Sequence, residues 1–256
     1  MLRDLKYRAR DVVRHFGYDV GILRPDSDIG HFLTVLCEDR GITCVIDVGA
    51  HRGGFGENLL RSGYTGKIVS FEPVLSLFTA LTQVAAKTSP QWLPRRMALG
   101  AVDGELSIHV DAGDGQLSSF LEPSALGHSL FETSFATLAE EVVPVRRLDT
   151  VFAEIAGAED ASVLLKIDTQ GWDLEVIKGA GDGLSRVPIV LSEVSVQPIY
   201  KDMVTMFEFI PHMQGLGYEI AGLFPVSRAA DYTVVEFDCV MVRPGSKELW
   251  RPRPLQ

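Results

Sequence analysis

The segment from Thr43 to Gly56, Thr-Cys-Val-Ile-Asp-Val-Gly-Ala-His-Arg-Gly-Gly-Phe-Gly, constrains the chain more than any other. A short apolar run closed by glycines reads as a buried strand feeding a helix through a tight turn. Glycine lets the backbone approach a ligand, and the helix start offers unpaired N–H groups. Twenty-three residues past Gly49, a second apolar run, Lys67 to Phe71, ends in Glu72. A carboxylate at that place suits the two hydroxyls of a ribose, so the pattern points to a nucleoside-bearing cofactor. A dinucleotide requires Gly-x-Gly-x-x-Gly, so that a pyrophosphate can sit on the helix end. Here the second glycine position is His51, whose side chain would crowd that phosphate. Asp-x-Gly-x-x-x-Gly followed by an acid fits S-adenosylmethionine, which carries a ribose and an amino-acid tail and no phosphate.

The remaining pattern places this turn inside an α/β sheet. Helical spacing predicts helices over about 29–40, 54–62, 75–87 and 203–216, the first stopped by Gly41. Strands are expected at 67–72, 92–99, 163–168, 188–193, 217–223 and 237–242. Glu105–Val110 alternates like a strand and could pair with Val142–Arg146, leaving 111–141 as a long connection of the kind that forms lids or recognition segments. Ligands gather outside the carboxyl ends of parallel strands, which brings Asp47, Glu72, Asp168 and Glu193 toward one crevice.

Residues 1–16 set Leu2, Leu5, Ala9, Val12 and Phe16 at helical spacing amid basic residues. Such a helix packs on its own domain or on a second subunit, giving a homo-oligomer, or rests on an anionic membrane surface. The expected organisation is an N-terminal helical appendage at 1–42, a catalytic domain at 43–243 with 111–141 as its recognition or lid segment, and a tail at 244–256. A net charge of −10 argues against nucleic acid and for a small-molecule partner. Cys37, Cys44 and Cys239 are too scattered for a disulfide framework or a zinc site, which with no signal peptide and no membrane span implies cytoplasmic residence.

Four segments in order, Val45–Gly53, Ser70–Pro73, Leu164–Ala180 and Ser192–Glu193, resemble the FkbM family of S-adenosylmethionine-dependent methyltransferases. The third, Lys166-Ile167-Asp168-Thr169-Gln170-Gly171-Trp172-Asp173, is the most specific. The resemblance implies a Rossmann-like class I fold: a seven-stranded, mostly parallel sheet with the last strand antiparallel and helices on both faces. It further implies methyl transfer, usually to oxygen, often of sugars or secondary metabolites. N-methyl transfer and a non-catalytic cofactor-binding subunit are the alternatives. By the family's pattern Asp47, Gly49, Ala50, His51 and Gly53 surround the methionine moiety, Glu72 takes the ribose, and Ala98 and Leu99 edge the adenine. His51 stands where relatives commonly carry asparagine.

For catalysis the candidates are Asp168, Glu193 and Lys166. Lys166 and Asp168 are two apart on one strand, hence on one face, as an ion pair or as the catalytic element itself. Asp168 and Glu193 are rival proton acceptors, with His128 a third. Asp168 and Glu193 could hold magnesium, but no third ligand is recognisable and no metal is expected. Gln170 and Asp173 read as caps of the following helix.

Overall fold

The computed structural model describes residues 12–16, 28–111, 113–135, 138–157 and 161–245. Most of the expected N-terminal amphipathic helix and of the C-terminal tail lies outside them. Residues 12–15 form one helical turn, with Val12 and Phe16 exposed.

The central layer is a seven-stranded sheet. In chain order its strands are β1 (Cys44–Val48), β2 (Lys67–Phe71), β3 (Trp92–Arg95), β7 (Val163–Ile167), β8 (Ile189–Ser195), β9 (Glu219–Arg228) and β10 (Val234–Val242). In space they run β3-β2-β1-β7-β8-β10-β9, and β10 alone runs opposite to the other six. The order reverses between β1 and β7, so a crevice opens there at the carboxyl ends of both strands. This is the Rossmann-like class I arrangement.

The strands are buried on both faces, which is why β1 and β7 are near-continuous apolar runs rather than alternating ones. Residues of one parity, Val45, Ile68, Leu164, Leu191 and Val240, pack with α1 (Ile29–Asp39), α2 (Gly54–Arg61) and α3 (Leu75–Thr88). The other parity, including Ile46, Val69, Leu165 and Val190, packs with α6 (Leu148–Ala156), α7 (Asp173–Ala180) and α8 (Met206–Gly215). Local chemistry sets the helix ends. The Asp28 carboxylate accepts from the His31 amide to start α1, and Thr205 and Glu208 form a capping box for α8.

Two expectations change. The segment 92–99 is not one strand: β3 ends at Arg95, and Ala98–Leu99 becomes β4 of a second sheet ordered β4-β6-β5. There β5 (Gly104–Asp111) pairs antiparallel with β6 (Leu138–Arg146), and Arg96 pairs with Glu141 of β6 at 2.6 Å, drawing the chain out of the main sheet. Because β6 begins at Leu138, the long connection is shorter than 111–141. Two short helices, α4 (Ala125–Leu130) and α5 (Glu132–Phe135), occupy part of it. Among the described residues no helix is long and apolar enough to cross a membrane.

One contact locks the small sheet to the large one. A Cβ at Gly179 of α7 would stand 2.0 Å from the Gly100 carbonyl oxygen just after β4. Glycine-to-alanine changes in a helix interior ordinarily stabilise by about 1 kcal/mol. Gly179→Ala is expected to do the reverse, lowering the unfolding free energy in urea by more than about 2 kcal/mol.

Candidate active site

The chain turns at the end of β1 through Gly49 (φ +73°), and a Cβ there would lie 1.8 Å from the Asp168 carbonyl oxygen at the end of β7. Only glycine lets these two strand ends meet. Beside the turn opens a cleft of about 320 Å³. Phe71, Val74, Leu77, Leu99, Ile108 and Val226 give it apolar lining, and Asp168, Gln170 and Glu193 give it polar lining. Gly49, His51, Glu72 and Ala98 also line it, while Gly115, Gln116, Ser118 and Phe120 cover it from the segment after β5.

Glu72 is buried in the lining of the cleft. Its two oxygens accept from the His51 amide (2.8 Å) and the Val74 amide (2.9 Å). Burial outweighs those donors and pushes its carboxyl up to about 7. His51 takes a positive φ of 51°, which aims its amide at Glu72, while its Nε2 meets the Asp114 carbonyl at 2.8 Å.

Beneath the turn runs a buried polar chain across the sheet. The Trp92 indole N–H donates to the Ser70 hydroxyl (2.9 Å), which donates to Asp47 (2.8 Å). Asp47 is fully buried and pairs with Lys166 at 3.2 Å; Lys166 also pairs with Asp168 at 3.3 Å and donates to the Gly49 carbonyl at 3.0 Å. Burial opposes the charge on Lys166, but Asp168 and Asp47 more than offset it and hold the group protonated.

The predicted residues therefore fall into two sets. Gly49, His51, Glu72, Ala98, Leu99, Asp168 and Glu193 line the cleft. Asp47 and Lys166 lie under its floor, Ala50 packs in the core beside α2, and Gly53, the residue before α2, faces Leu81 and Trp92. His128 sits on α4 edge-on to Phe135 and does not line the cleft.

Gln170 and Asp173 do not cap α7. Gln170, at φ +52°, turns its amide back over the strand ends, donating to Asp168 (3.2 Å) and Glu193 (2.8 Å). Asp173 is buried on the opposite face, accepting from Thr169 and Ser192, and burial raises its carboxyl to about 6. Tyr200, whose hydroxyl is 3.0 Å from both Gln170 Oε1 and the Leu117 carbonyl, gave no local signal in the sequence. Ser70 did give one, as a lone polar residue in an apolar strand. Among the described residues no group of three or more metal-type side chains converges.

Residues 47–220 match the model of the methyltransferase FkbM domain. The chain belongs to the FkbM methyltransferase family. The match identifies a methyltransferase domain. A curated relative, an aromatic amino acid aminotransferase of Corynebacterium efficiens, is 32% identical over 111 residues. That stretch is 42% of this chain and 31% of that protein, so the match spans under a third of the relative's length. Similar solved structures include an O-methyltransferase of Streptomyces achromogenes involved in tomaymycin synthesis, with a TM-score of 0.47 at 12% identity over 93% of this chain and 89% of that one. Magnesium protoporphyrin IX methyltransferase of Synechocystis gives a TM-score of 0.46 at 12% identity over 93% and 97%.

The site makes two stability predictions. Lys166→Met leaves Asp47 buried without its counter-charge and is expected to cost about 3–5 kcal/mol, measured by urea unfolding; adding Asp47→Asn should recover much of it. Glu72 carries a folded-state pKa above its ordinary 4.5, so its contribution is present at low pH and lost as pH rises toward about 7. Glu72→Gln should therefore gain stability over wild type between pH 5 and pH 8, on the order of 3 kcal/mol, seen as diverging unfolding midpoints.

Proposed function

We propose that this chain transfers the methyl group to a hydroxyl oxygen of a small polar acceptor, a sugar or another secondary metabolite. The observation that carries this reading is a buried carboxylate, Glu72, lining one cleft together with apolar side chains and the acids Asp168 and Glu193. That layout fits the cofactor part by part. Glu72 suits the ribose hydroxyls, Ala98 and Leu99 with Phe71 and Val74 suit a flat base, and the Gly49 turn with His51 suits the amino-acid tail.

When bound, S-adenosylmethionine supplies an electrophilic methyl on a sulfonium. The protein's own task is to hold the acceptor in line and to take its proton. Asp47 and Lys166 brace the turn from below and touch neither ligand. Gln116, Ser118 and Phe120, from the segment read as a recognition element, form the wall through which an acceptor would be selected. A hydroxyl is favoured over an amine because it becomes an effective nucleophile only when a base removes its proton, and two carboxylates stand where that base is needed.

Calorimetry with S-adenosylhomocysteine tests the cofactor site. Micromolar binding and no response to NAD are expected, with Glu72→Ala weakening binding at least about tenfold, roughly 1.4 kcal/mol. Because ribose hydroxyls donate to the ionised carboxylate, wild-type affinity should rise with pH through about 7, while Glu72→Gln should show a flat profile. Tight NAD binding, or an affinity indifferent to Glu72, would defeat the reading.

A further inference from the structure

Asp168 and Glu193 look equivalent in the sequence, each an acid at a strand end, but the structure treats their oxygens differently. Asp168 has both engaged: Oδ2 faces Lys166 at 3.3 Å and Oδ1 accepts from Gln170 at 3.2 Å. Glu193 has one engaged, Oε2, which accepts from Gln170 at 2.8 Å; Oε1 has no hydrogen-bond partner among the described residues. Both side chains line the cleft.

We propose that Glu193, through Oε1, is the group that receives the acceptor's proton, and that Gln170 is the positioning residue that aims it. The assignment rests on the methyl-transfer reading above. In the step, the acceptor oxygen bonds to the methyl carbon as the carbon–sulfur bond breaks, and that electron pair returns to sulfur. The hydroxyl proton passes to Glu193, which becomes a neutral acid. The sulfonium and the carboxylate charges vanish together, so the cleft gains no net charge.

The surroundings separate the two acids by what protonation would disturb. A proton on Asp168 would remove one of the two counter-charges of buried Lys166 and loosen the brace under Gly49. A proton on Glu193 breaks no ion pair. It relieves repulsion instead, since Asp168 just after β7, Glu236 and Asp238 on β10 and Asp173 on α7 all act on Glu193. Asp238 stands directly opposite it in the β8–β10 register. Burial first, and these acids second, raise the Glu193 carboxyl well above its ordinary range, which suits it to accept a proton.

Gln170 keeps the pair unlike. Its amide nitrogen has two protons, one for each carboxylate, and its oxygen is held by the Tyr200 hydroxyl at 3.0 Å. The Ser119 hydroxyl donates to its main-chain carbonyl at 2.7 Å. A flipped amide would set its oxygen against two carboxylates, so the carboxylates fix which way the protons point.

Carbon-13 NMR of protein labelled at Glu Cδ reads the Glu193 carboxyl without an acceptor. In the S-adenosylhomocysteine complex, with Glu193→Gln assigning the resonance, Glu193 is expected to titrate well above the ordinary carboxylate range. Replacing the thioether ligand by S-adenosylmethionine adds one positive charge, and the wild-type Glu193 midpoint should fall in response. In Gln170→Leu the donor that favours the ionised form is gone, and Glu193 should titrate higher still. Glu193→Gln should bind S-adenosylhomocysteine within about twofold of wild type. The assignment is overturned if Glu193 titrates within the ordinary carboxylate range, if its midpoint ignores the sulfonium, if Gln170→Leu leaves it unmoved, or if Glu193→Gln loses cofactor affinity tenfold. Wild-type protein that binds no S-adenosylhomocysteine would instead remove the methyl-transfer reading, and the Glu193 titration would still be read on the free protein.

Discussion

The Lys166 ammonium, buried among Asp47, Asp168 and the Gly49 carbonyl, is the contact on which the site depends. A charge taken out of water is costly unless it is paired, and here two carboxylates and a carbonyl oxygen face it. The cluster joins β1 to β7 at the point where the sheet order reverses, so the same bonds that neutralise a buried cation also hold the crevice at its required width. It does not act alone. Ser70 and Trp92 extend the polar chain to β2 and β3, and Gln170 extends it to β8.

The sheet could be read in advance because parallel strands buried on two faces leave long apolar runs between helical segments. The Gly49 turn was legible too, since no other residue tolerates both its dihedral and the approach of the Asp168 carbonyl. Where strands stopped was harder to see. Residues 92–99 have the composition of one strand, yet the pull of Glu141 on Arg96 and the pairing of Ala98 with Val145 divide it between two sheets. Such a break comes from contacts 45 residues distant in sequence and leaves no local mark.

In the site, the side chains that meet the cleft were read more readily than those that aim them. Glu72, Asp168 and Glu193 announce themselves as acids closing apolar runs. Gln170 looked like a helix cap, because its position before α7 suits one; its positive φ, which sends the amide the other way, is not written in residue type. Tyr200 reaches Gln170 from 30 residues away and has no periodic signature. His51 and Gly53 belong to one motif but part company in space, one over the cleft and the other against Trp92.

The covering segment is seated largely through its main chain. The Asp114 carbonyl accepts from His51, the Leu117 carbonyl stands 3.0 Å from the Tyr200 hydroxyl, and the backbones of Glu122 and Ser124 meet those of Lys201 and Ile199. Carbonyls are common to every amino acid, so these contacts do not depend on which side chain each residue carries. A fold built this way can acquire new acceptors by exchanging the outward lettering of a single loop, with the chemical machinery below left untouched.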